Sequence, residues 1–209
     1  IELGAPIASQ CGKLEVRMKK NLKIAVISLY ALENNGVRHV ATPLREAGYQ
    51  VTEIYFKDWL SNFLEPATDT QLDNLIKVIR REQLSVVCIS IRASAYAGQA
   101  AVLTERIQRE LDIPVLWGGM HPTIAGDECI EHADMILQGE GELAIVDLAN
   151  RLRDGEEIYD TQNIWFRKSA TDVLKNGLRP LVQNLDDLAF RDYTTHQHKY
   201  FINGNTYKI

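Results

Sequence analysis

The stretch ILQGEGELAIVDLANRL, residues 136–152, carries an apolar strand pattern straight into an amphipathic helix pattern. The junction between the two consists of Gly139, Glu140, Gly141 and Glu142. Glycine lets the backbone approach a neighbour closely, and acidic side chains in a first helical turn suit the positive end of the helix dipole. A strand followed at once by a helix is typical of a parallel α/β fold. Two glycines and two acids are more than such a turn requires.

The same alternation of strand and helix runs through the preceding chain. Strands are expected where short apolar runs are nearly unbroken or alternate with polar residues, and helices where apolar residues recur at spacings of three and four. The strands are predicted at 23–29, 50–56, 85–91, 113–117 and 134–138. The helices are predicted at 36–48, 71–82, 96–111, 127–132 and 142–152.

These five units predict an α/β fold of the Rossmann-like, flavodoxin-like kind. Right-handed crossovers give a five-stranded parallel sheet in the order 2-1-3-4-5, with helices on both faces. Ligands of such folds bind beyond the carboxyl ends of the strands, at the switch between the first and third strands. The loops at those ends are 30–36, 92–95, 118–122 and 138–141.

The chain divides into three parts on the same patterns. Residues 1–17 fit no element downstream and Met18 resembles a natural start, so these residues are interpreted as an added or disordered leader. Residues 18–155 form the Rossmann-like domain. Residues 156–209 are predicted to add a small C-terminal β extension, with a tight turn at Asn176-Gly177, and a linker toward a further domain that this sequence lacks.

Composition excludes several classes of protein. The 209 residues carry a formal net charge of −5 and no basic run, which argues against a nucleic-acid partner. No apolar stretch is long enough to cross a membrane as a helix. Cys11, Cys88 and Cys129 lack the spacing of a zinc or iron–sulfur site and form no disulfide framework. A reducing, cytoplasmic location is therefore expected.

Single residues at the strand ends leave the chemistry open. Gly118-Gly119 lacks the spacing of a dinucleotide or phosphate loop, and Ser90 suits either a turn cap or a hydrogen bond to a ligand. Glu140 and Glu142 fit a general acid–base pair less well than a first helical turn. His121 has no second ligand at metal-binding spacing and is interpreted as a loop or cap residue. No catalytic residue and no metal ligand are predicted.

The order of these weak signals along the chain is specific. The stretch PVLWGGMHPTIAGDECIEHADMILQGEGELAIVDL, residues 114–148, resembles the cobalamin-binding N-terminal domain of cobalamin-dependent radical S-adenosylmethionine enzymes. In that family G-G-x-H-P-T follows the fourth strand and G-E-G-E follows the fifth, as at 118–123 and 139–142 here. LVQNLDDLAFRDY, residues 181–193, is similar to the family's linker L-D-x-L-P-x-P-x-x, with Ala189 and Arg191 in place of prolines.

The resemblance implies a site for cobalamin at the carboxyl ends of the strands. A corrin ring is broad and carries amide arms, so it needs flat backbone surfaces and many hydrogen-bond partners. The nucleotide tail is expected to pass down the switch crevice, where missing side chains leave room. The cofactor-binding residues implied are Leu32, Glu33, Asn34, Asn35, Gly36, Val37, Ser90, Arg92, Ala93, Gly118, Gly119, Met120, His121, Gly139, Glu140 and Gly141.

Two family motifs are absent from the sequence. Without C-x-x-x-C-x-x-C, the [4Fe–4S] cluster and S-adenosylmethionine are assigned to a missing radical domain, and this chain alone is expected to be catalytically silent. The parent enzyme is expected to be a methyltransferase or an oxidative cyclase. The cobalt-ligand motif D-x-H-x-x-G, counted back from Gly36, has Ala31 and Glu33 at its Asp and His positions. Base-off cobalamin without a histidine ligand is therefore expected; the alternative is a ligand from His39 or His121.

Two rival interpretations remain at this point. The domain could keep the cobalamin fold yet bind no corrinoid, and serve as a docking or lid module for the radical domain. A flavodoxin-like or response-regulator domain would share the fold. The first strand, however, is not followed by a Ser/Thr-rich phosphate loop, and no acidic cluster surrounds an Asp at a strand end.

Overall fold

A computed structural model describes residues 21–58, 64–190, 192–193 and 198–208. The leader predicted for residues 1–17 lies outside the described residues. The strands are β1 (Lys23–Leu29), β2 (Gln50–Phe56), β3 (Val86–Ser90), β4 (Val115–Gly118), β5 (Met135–Leu137), β6 (Ile164–Arg167), β7 (Val173–Lys175), β8 (Lys199–Asn203) and β9 (Asn205–Lys208). The helices are α1 (Asn35–Glu46), α2 (Asp69–Glu82), α3 (Ala97–Leu111), α4 (Met120–Ile124), α5 (Gly126–Cys129) and α6 (Glu142–Asp154).

The described strands form one sheet in the order β7-β6-β5-β4-β3-β1-β2-β8-β9. The first five strands pair in parallel in the predicted order 2-1-3-4-5, which confirms the α/β, Rossmann-like fold. The predicted count of five strands is wrong, because four more strands extend the sheet. β6 and β7 continue it antiparallel beyond β5, whereas β8 pairs in parallel with β2 and β9 turns back along β8.

The C-terminal extension therefore contributes to both edges of the sheet. Unpaired backbone groups at a sheet edge favour the addition of further strands. The turn of the β6–β7 hairpin lies at 168–172, where the amides of Lys168 and Ser169 both donate to the carbonyl of Asp172. The tight turn predicted at Asn176-Gly177 is wrong, because the Asn176 side chain binds an earlier part of the chain. The Asn176 amide instead donates to the main-chain oxygens of three earlier residues, Tyr159, Thr161 and Ile164.

Helices cover both faces of the sheet, as predicted. On one face α2 and α3 pack against residues such as Ile27, Ile89 and Trp117. On the other face α1 and α6 pack against their strand neighbours, which include Val26 and Leu116. Successive strand residues point to opposite faces, so the nearly unbroken apolar runs fill two cores at once.

Helix ends follow recognisable signals with small shifts from the predicted bounds. Thr68 and Gln71 form a capping box at the start of α2, since each side chain binds the other residue's amide. The segment predicted as a helix from residue 96 begins with a short 3-10 turn at Ser94–Tyr96. The helix predicted at 127–132 is replaced by the two short helices α4 and α5. None of the described helices is long and apolar enough to cross a membrane.

A strap, defined here as residues 178–190 with 192–193, runs between the two added hairpins and crosses helices α1 and α6. Arg179 at its start pairs with Asp147 of α6. At its other end the amide of Asp192 donates to Thr42 Oγ1 of α1 at 3.1 Å. The guanidinium of Arg38 lies 4.7 Å from the ring centroid of Tyr193. The strap therefore joins both helices on one face of the sheet.

A buried carboxylate fastens β8 to α2. Glu82 Oε2 lies 2.7 Å from His198 Nδ1, and Glu82 Oε1 accepts a hydrogen bond from the Tyr200 hydroxyl. Burial raises the pKa of Glu82, but the hydrogen bonds from Tyr200 and His198 outweigh it and hold the pKa below its usual value. A carboxylate with a lowered pKa stabilises the fold above its unfolded-state pKa, and this contribution is lost as the pH falls through the folded-state pKa.

We expect Glu82→Gln to lower the free energy of unfolding by about 1–2 kcal/mol at pH 7, because a charge-assisted pair of hydrogen bonds becomes neutral. The difference from the unaltered protein should shrink steadily as the pH falls below about 4.3, the usual pKa of a glutamate. Urea unfolding followed by circular dichroism at pH 7 and pH 3 measures both values.

The matched control for this change is Glu105→Gln. The Glu105 side chain is 47% exposed in its pair with Arg109. Its replacement should therefore lower the free energy of unfolding by less than about 0.5 kcal/mol. A Glu82→Gln effect of the same size at both pH values would contradict the role of the carboxylate charge.

Candidate functional site

Three small residues form a row at the carboxyl edge of the sheet. Ser28, Ser90 and Gly118 are aligned partners in β1, β3 and β4. Residues two positions earlier, such as Val26 and Leu116, belong to the core under α1 and α6, so the row faces those helices. This set, called here the small-residue row, crosses the switch between the first and third strands, where ligands of such sheets bind.

Glycines at the starts of α1 and α6 let both helices approach the sheet closely. A Cβ atom on Gly36 would lie 3.4 Å from Ser90 Oγ, and one on Gly141 would lie 3.2 Å from Leu137 Cδ2 and 3.5 Å from Val40 Cγ2. Gly36 therefore lies directly beside the row, whereas Gly141 packs the start of α6 against the end of β5 and against α1.

Asn34 connects the row to helix α1. Its Oδ1 accepts from the Gly36 amide at 2.9 Å, and its Nδ2 donates to Ser28 Oγ at 3.1 Å and to Ser90 Oγ at 3.3 Å. The residue is 3% exposed and caps the helix. Asn35, predicted in the preceding loop, begins α1, and Val37 lies in the first turn of this helix as predicted. Val37 has no exposed surface and supports the row from within the core.

Gly119 brings the Gly-Gly loop against the end of β3. Its φ of +102° and ψ of −166° fall in a region that is open almost only to glycine. A Cβ atom there would lie 2.9 Å from the Ile91 carbonyl oxygen. The main-chain amide of His121 donates a hydrogen bond to the same Ile91 oxygen at 3.1 Å. The loop after β4 is therefore held directly over the loop after β3.

His121 is buried without hydrogen-bond partners for its ring. The residue is 5% exposed, and neither Nδ1 nor Nε2 has a partner. It is the only described side chain that leaves two buried polar atoms unpaired. A buried polar group without a partner is costly, so a ligand with hydrogen-bonding groups fits this end of the sheet.

The G-E-G-E loop is tied to the G-G-x-H-P-T loop. The amide of Gly139 donates to Thr123 Oγ1 at 3.1 Å, and Gln138 Nε2 donates to the Pro122 carbonyl at 3.2 Å. Glu140 Oε2 accepts from the main-chain amide of Val182 in the strap at 3.1 Å. These contacts fix the position of the G-E-G-E loop against the loop after β4. The Glu140 carboxylate binds the strap.

Glu142 and His39 form a pair between the two helices that flank the row. Glu142 Oε1 lies 3.1 Å from His39 Nδ1, and Glu142 is the acidic residue in the first turn of α6. The interpretation of Glu142 as a helix-start residue agrees with this position. The described residues hold no group of three or more His, Cys, Asp or Glu side chains that could bind a metal ion.

Asn163 is a positioning residue that the sequence did not reveal. Its Nδ2 donates to the Gln138 carbonyl at 2.7 Å, and its Oδ1 accepts from the Arg179 amide at 2.7 Å. It has a φ of +70° and is 3% exposed. An isolated Asn just before a short strand carries no periodic signal, so its role depends on contacts distant in sequence. Ser28 was missed likewise, because it lies within an apolar strand run.

The remaining predicted site residues lie on the rim of the same edge. Leu32 and Met120 are exposed apolar side chains, at 39% and 64%. Glu33, Arg92 and Ala93 are also exposed. The structure thus brings all four predicted loops to one end of the sheet, with small residues in the centre and mixed apolar and charged residues around them. Neutral hydrogen-bonding groups dominate the centre, which fits a ligand held chiefly by hydrogen bonds and apolar contacts.

Comparisons with known proteins identify a family that matches the chain and solved structures that share its fold. Residues 23–149 match the family model described as "B12 binding domain". The chain is 26% identical over 132 residues to a protein from Pyrococcus horikoshii named "Uncharacterized methyltransferase PH0819", a match that covers 61% of this chain and 28% of that protein.

Two solved structures share the fold. The radical S-adenosylmethionine methyltransferase TsrM from Kitasatospora setae, with cobalamin and a [4Fe-4S] cluster bound, superposes with a TM-score of 0.61 at 14% identity, over 80% of this chain and 31% of that one. The cobalamin-dependent S-adenosylmethionine radical enzyme OxsB with aqua-cobalamin bound gives 0.59 at 16% identity, over 78% of this chain and 23% of that one.

The chain spans less than a third of the length of each of these relatives. At such low identities the two structures establish a common fold. The family model supports a family assignment as well as a common fold. Its match runs from β1 into α6 and includes the small-residue row and all four loops. The chain therefore belongs to the B12 binding domain family.

Proposed function

We propose that this domain binds cobalamin across the carboxyl edge of its sheet, with the nucleotide tail over the small-residue row. The observation that carries the proposal is the alignment of Ser28, Ser90 and Gly118, with Gly36 of α1 directly beside Ser90. A tail of sugar, phosphate and aromatic base is narrow, and it needs hydroxyl and backbone partners. The partly exposed Ser90 hydroxyl and the adjoining main chain provide them. Ser28 is fully buried, and its hydroxyl is already bonded to the Ala31 carbonyl and to Asn34.

The domain's own residues position the cofactor and perform no bond-making step. Gly119 and His121 hold the loop after β4 against Ile91, and Asn163 holds the G-E-G-E loop. Bound cobalamin would supply methyl transfer or related radical chemistry, which belongs to the cofactor rather than to the side chains. Leu32, Met120 and the other rim residues would meet the edge of the corrin.

We infer that the domain serves a larger radical S-adenosylmethionine enzyme, either a methyltransferase or an oxidative cyclase. The length of the relatives and the linker-like strap support this role. S-adenosylmethionine and the [4Fe–4S] cluster are assigned to a domain beyond these 209 residues, because the three cysteines lack cluster spacing. In this division residues 18–155 bind the cofactor and 156–209 lead toward the radical domain. Free, buried Cys88 and Cys129 support a cytoplasmic location.

We expect the chain to retain about one corrinoid per molecule after mixing with hydroxocobalamin and desalting, as read from the visible spectrum. Gly118→Val should abolish retention, because its side chain would rise from the row into the path of the tail. Gly118 suits this test, since an added Cβ meets only ordinary contacts, 3.8 Å from Leu137 Cβ. Gly119 is unsuitable because any side chain there strains the backbone.

Gly177→Val is the matched control, since a Cβ atom on Gly177 meets no atom within 4 Å. It should bind like the unaltered chain. Full retention by Gly118→Val would place the tail elsewhere. No retention by the unaltered, folded chain would favour the rival function, a docking or lid module that binds no corrinoid.

The loop between β1 and α1 supports base-off binding without a histidine ligand. Glu33 holds the position of the usual ligand histidine and is exposed. The loop itself, residues 30–34, contains no histidine. His121 is buried beside Ile91. His39 lies in α1, and its Nδ1 pairs with Glu142, which leaves Nε2 free, so His39 is the histidine that most needs a direct test. Weak axial ligation would ease reduction of the cobalt, because the added electron enters an orbital along that axis.

Electron paramagnetic resonance of the bound Co(II) form should show a base-off signal without nitrogen superhyperfine splitting. The measurement is repeated on His39→Ala and His121→Ala, which should leave the signal unchanged. A three-line nitrogen pattern that disappears in either variant would identify that histidine as the ligand and refute this part of the proposal.

A further inference from the structure

The unpaired ring of His121 has no role in the fold that its contacts explain. A neutral imidazole offers one donor and one acceptor nitrogen. Here both nitrogens are buried and neither has a partner, whereas the main-chain amide of the same residue is satisfied by Ile91. Leaving such atoms unpaired destabilises the fold, so a well-packed apolar side chain would serve the fold better.

The position of His121 separates it from the crevice assigned to the tail. The small-residue row faces α1 and α6, since Gly118 follows Leu116 on that face by two residues. Ile91 and Trp117 instead belong to the core under α2 and α3. Because its amide binds the Ile91 carbonyl, His121 lies past the end of the row, beside the opposite core.

The chemistry of the ring points to a neutral polar ligand. A carboxylate enclosed with the ring would need a cation beside it, yet the arginine that follows Ile91, Arg92, is exposed at the rim. A metal ion would need further ligands, and the described residues provide no such group. A primary carboxamide offers both a donor and an acceptor and carries no charge, so it can enter a buried site without a counter-ion.

We propose that His121 receives one of the carboxamide arms on the rim of the corrin ring. This inference rests on the proposed function, because it requires cobalamin on the carboxyl edge. It assigns His121 to the ring rather than to the tail or the cobalt. The neighbouring Met120 is 64% exposed at the same edge of the sheet.

The test compares two ligands and two variants by equilibrium titration in the visible spectrum. Cobinamide keeps the rim carboxamides but lacks the nucleotide tail. His121→Leu should weaken the binding of hydroxocobalamin and of diaquacobinamide equally, by about tenfold, the effect of losing about one hydrogen bond. Gly118→Val should weaken only hydroxocobalamin, because its side chain obstructs only the tail.

A second series identifies the arm. Cobalamin monocarboxylic acids each carry one carboxylate in place of one carboxamide. For the acid altered at the arm that His121 binds, the loss of affinity seen in the unaltered chain should disappear in His121→Leu. For the other acids both proteins should show the same loss.

Stability of the ligand-free protein distinguishes binding from a merely structural role. His121→Leu should unfold at the same urea concentration as the unaltered chain or at a higher one, because two unpaired polar atoms are removed. His132→Leu is the matched control; His132 stacks on Trp117 with ring centroids 5.8 Å apart, and its loss should leave both affinities unchanged.

Three outcomes would overturn the inference. His121→Leu could bind both ligands as tightly as the unaltered chain, lose affinity for hydroxocobalamin alone, or unfold more easily in proportion to its loss of binding. Failure of the unaltered chain to bind either corrinoid is a different result, and it would refute the proposed function itself.

Discussion

The amide of Asn34 is the contact on which the site depends. A single side chain caps α1 and joins the ends of β1 and β3 through Ser28 and Ser90. It can do so only because both strand residues are small and the first residues of the helix include a glycine. A larger residue at any of these positions would separate the helix from the sheet. The shape of the crevice is therefore a property of a few short side chains rather than of a flexible loop.

Two buried asparagines join the segments around the row. Asn34 binds the Gly36 amide and the hydroxyls of Ser28 and Ser90, and Asn163 binds main-chain groups of Gln138 and Arg179. His121 differs from both, since its ring is enclosed and neither ring nitrogen has a partner. Buried polar groups usually find partners in folded proteins, and among the described residues His121 alone leaves two such side-chain atoms unpaired.

The inner sheet could be predicted from the sequence because its signals are local. Each strand is an apolar run and each helix has its own periodicity, and right-handed crossovers leave few possible orders. The extension could not be predicted, because β8 pairs with β2 across most of the chain and is fixed by Glu82, far away in sequence. Asn176 shows the same limit: its turn-like neighbour Gly177 suggested a hairpin, but its side chain binds a distant loop.

The strap attaches a segment beyond the inner sheet to the site. It begins beside the G-E-G-E loop, crosses both helices that flank the row, and is followed in the chain by the hairpin on the far edge of the sheet. Its contacts with Asp147 and Thr42 lie on those two helices. The helices beside the row are therefore joined from outside by a segment that follows the region matched to the B12 binding domain family.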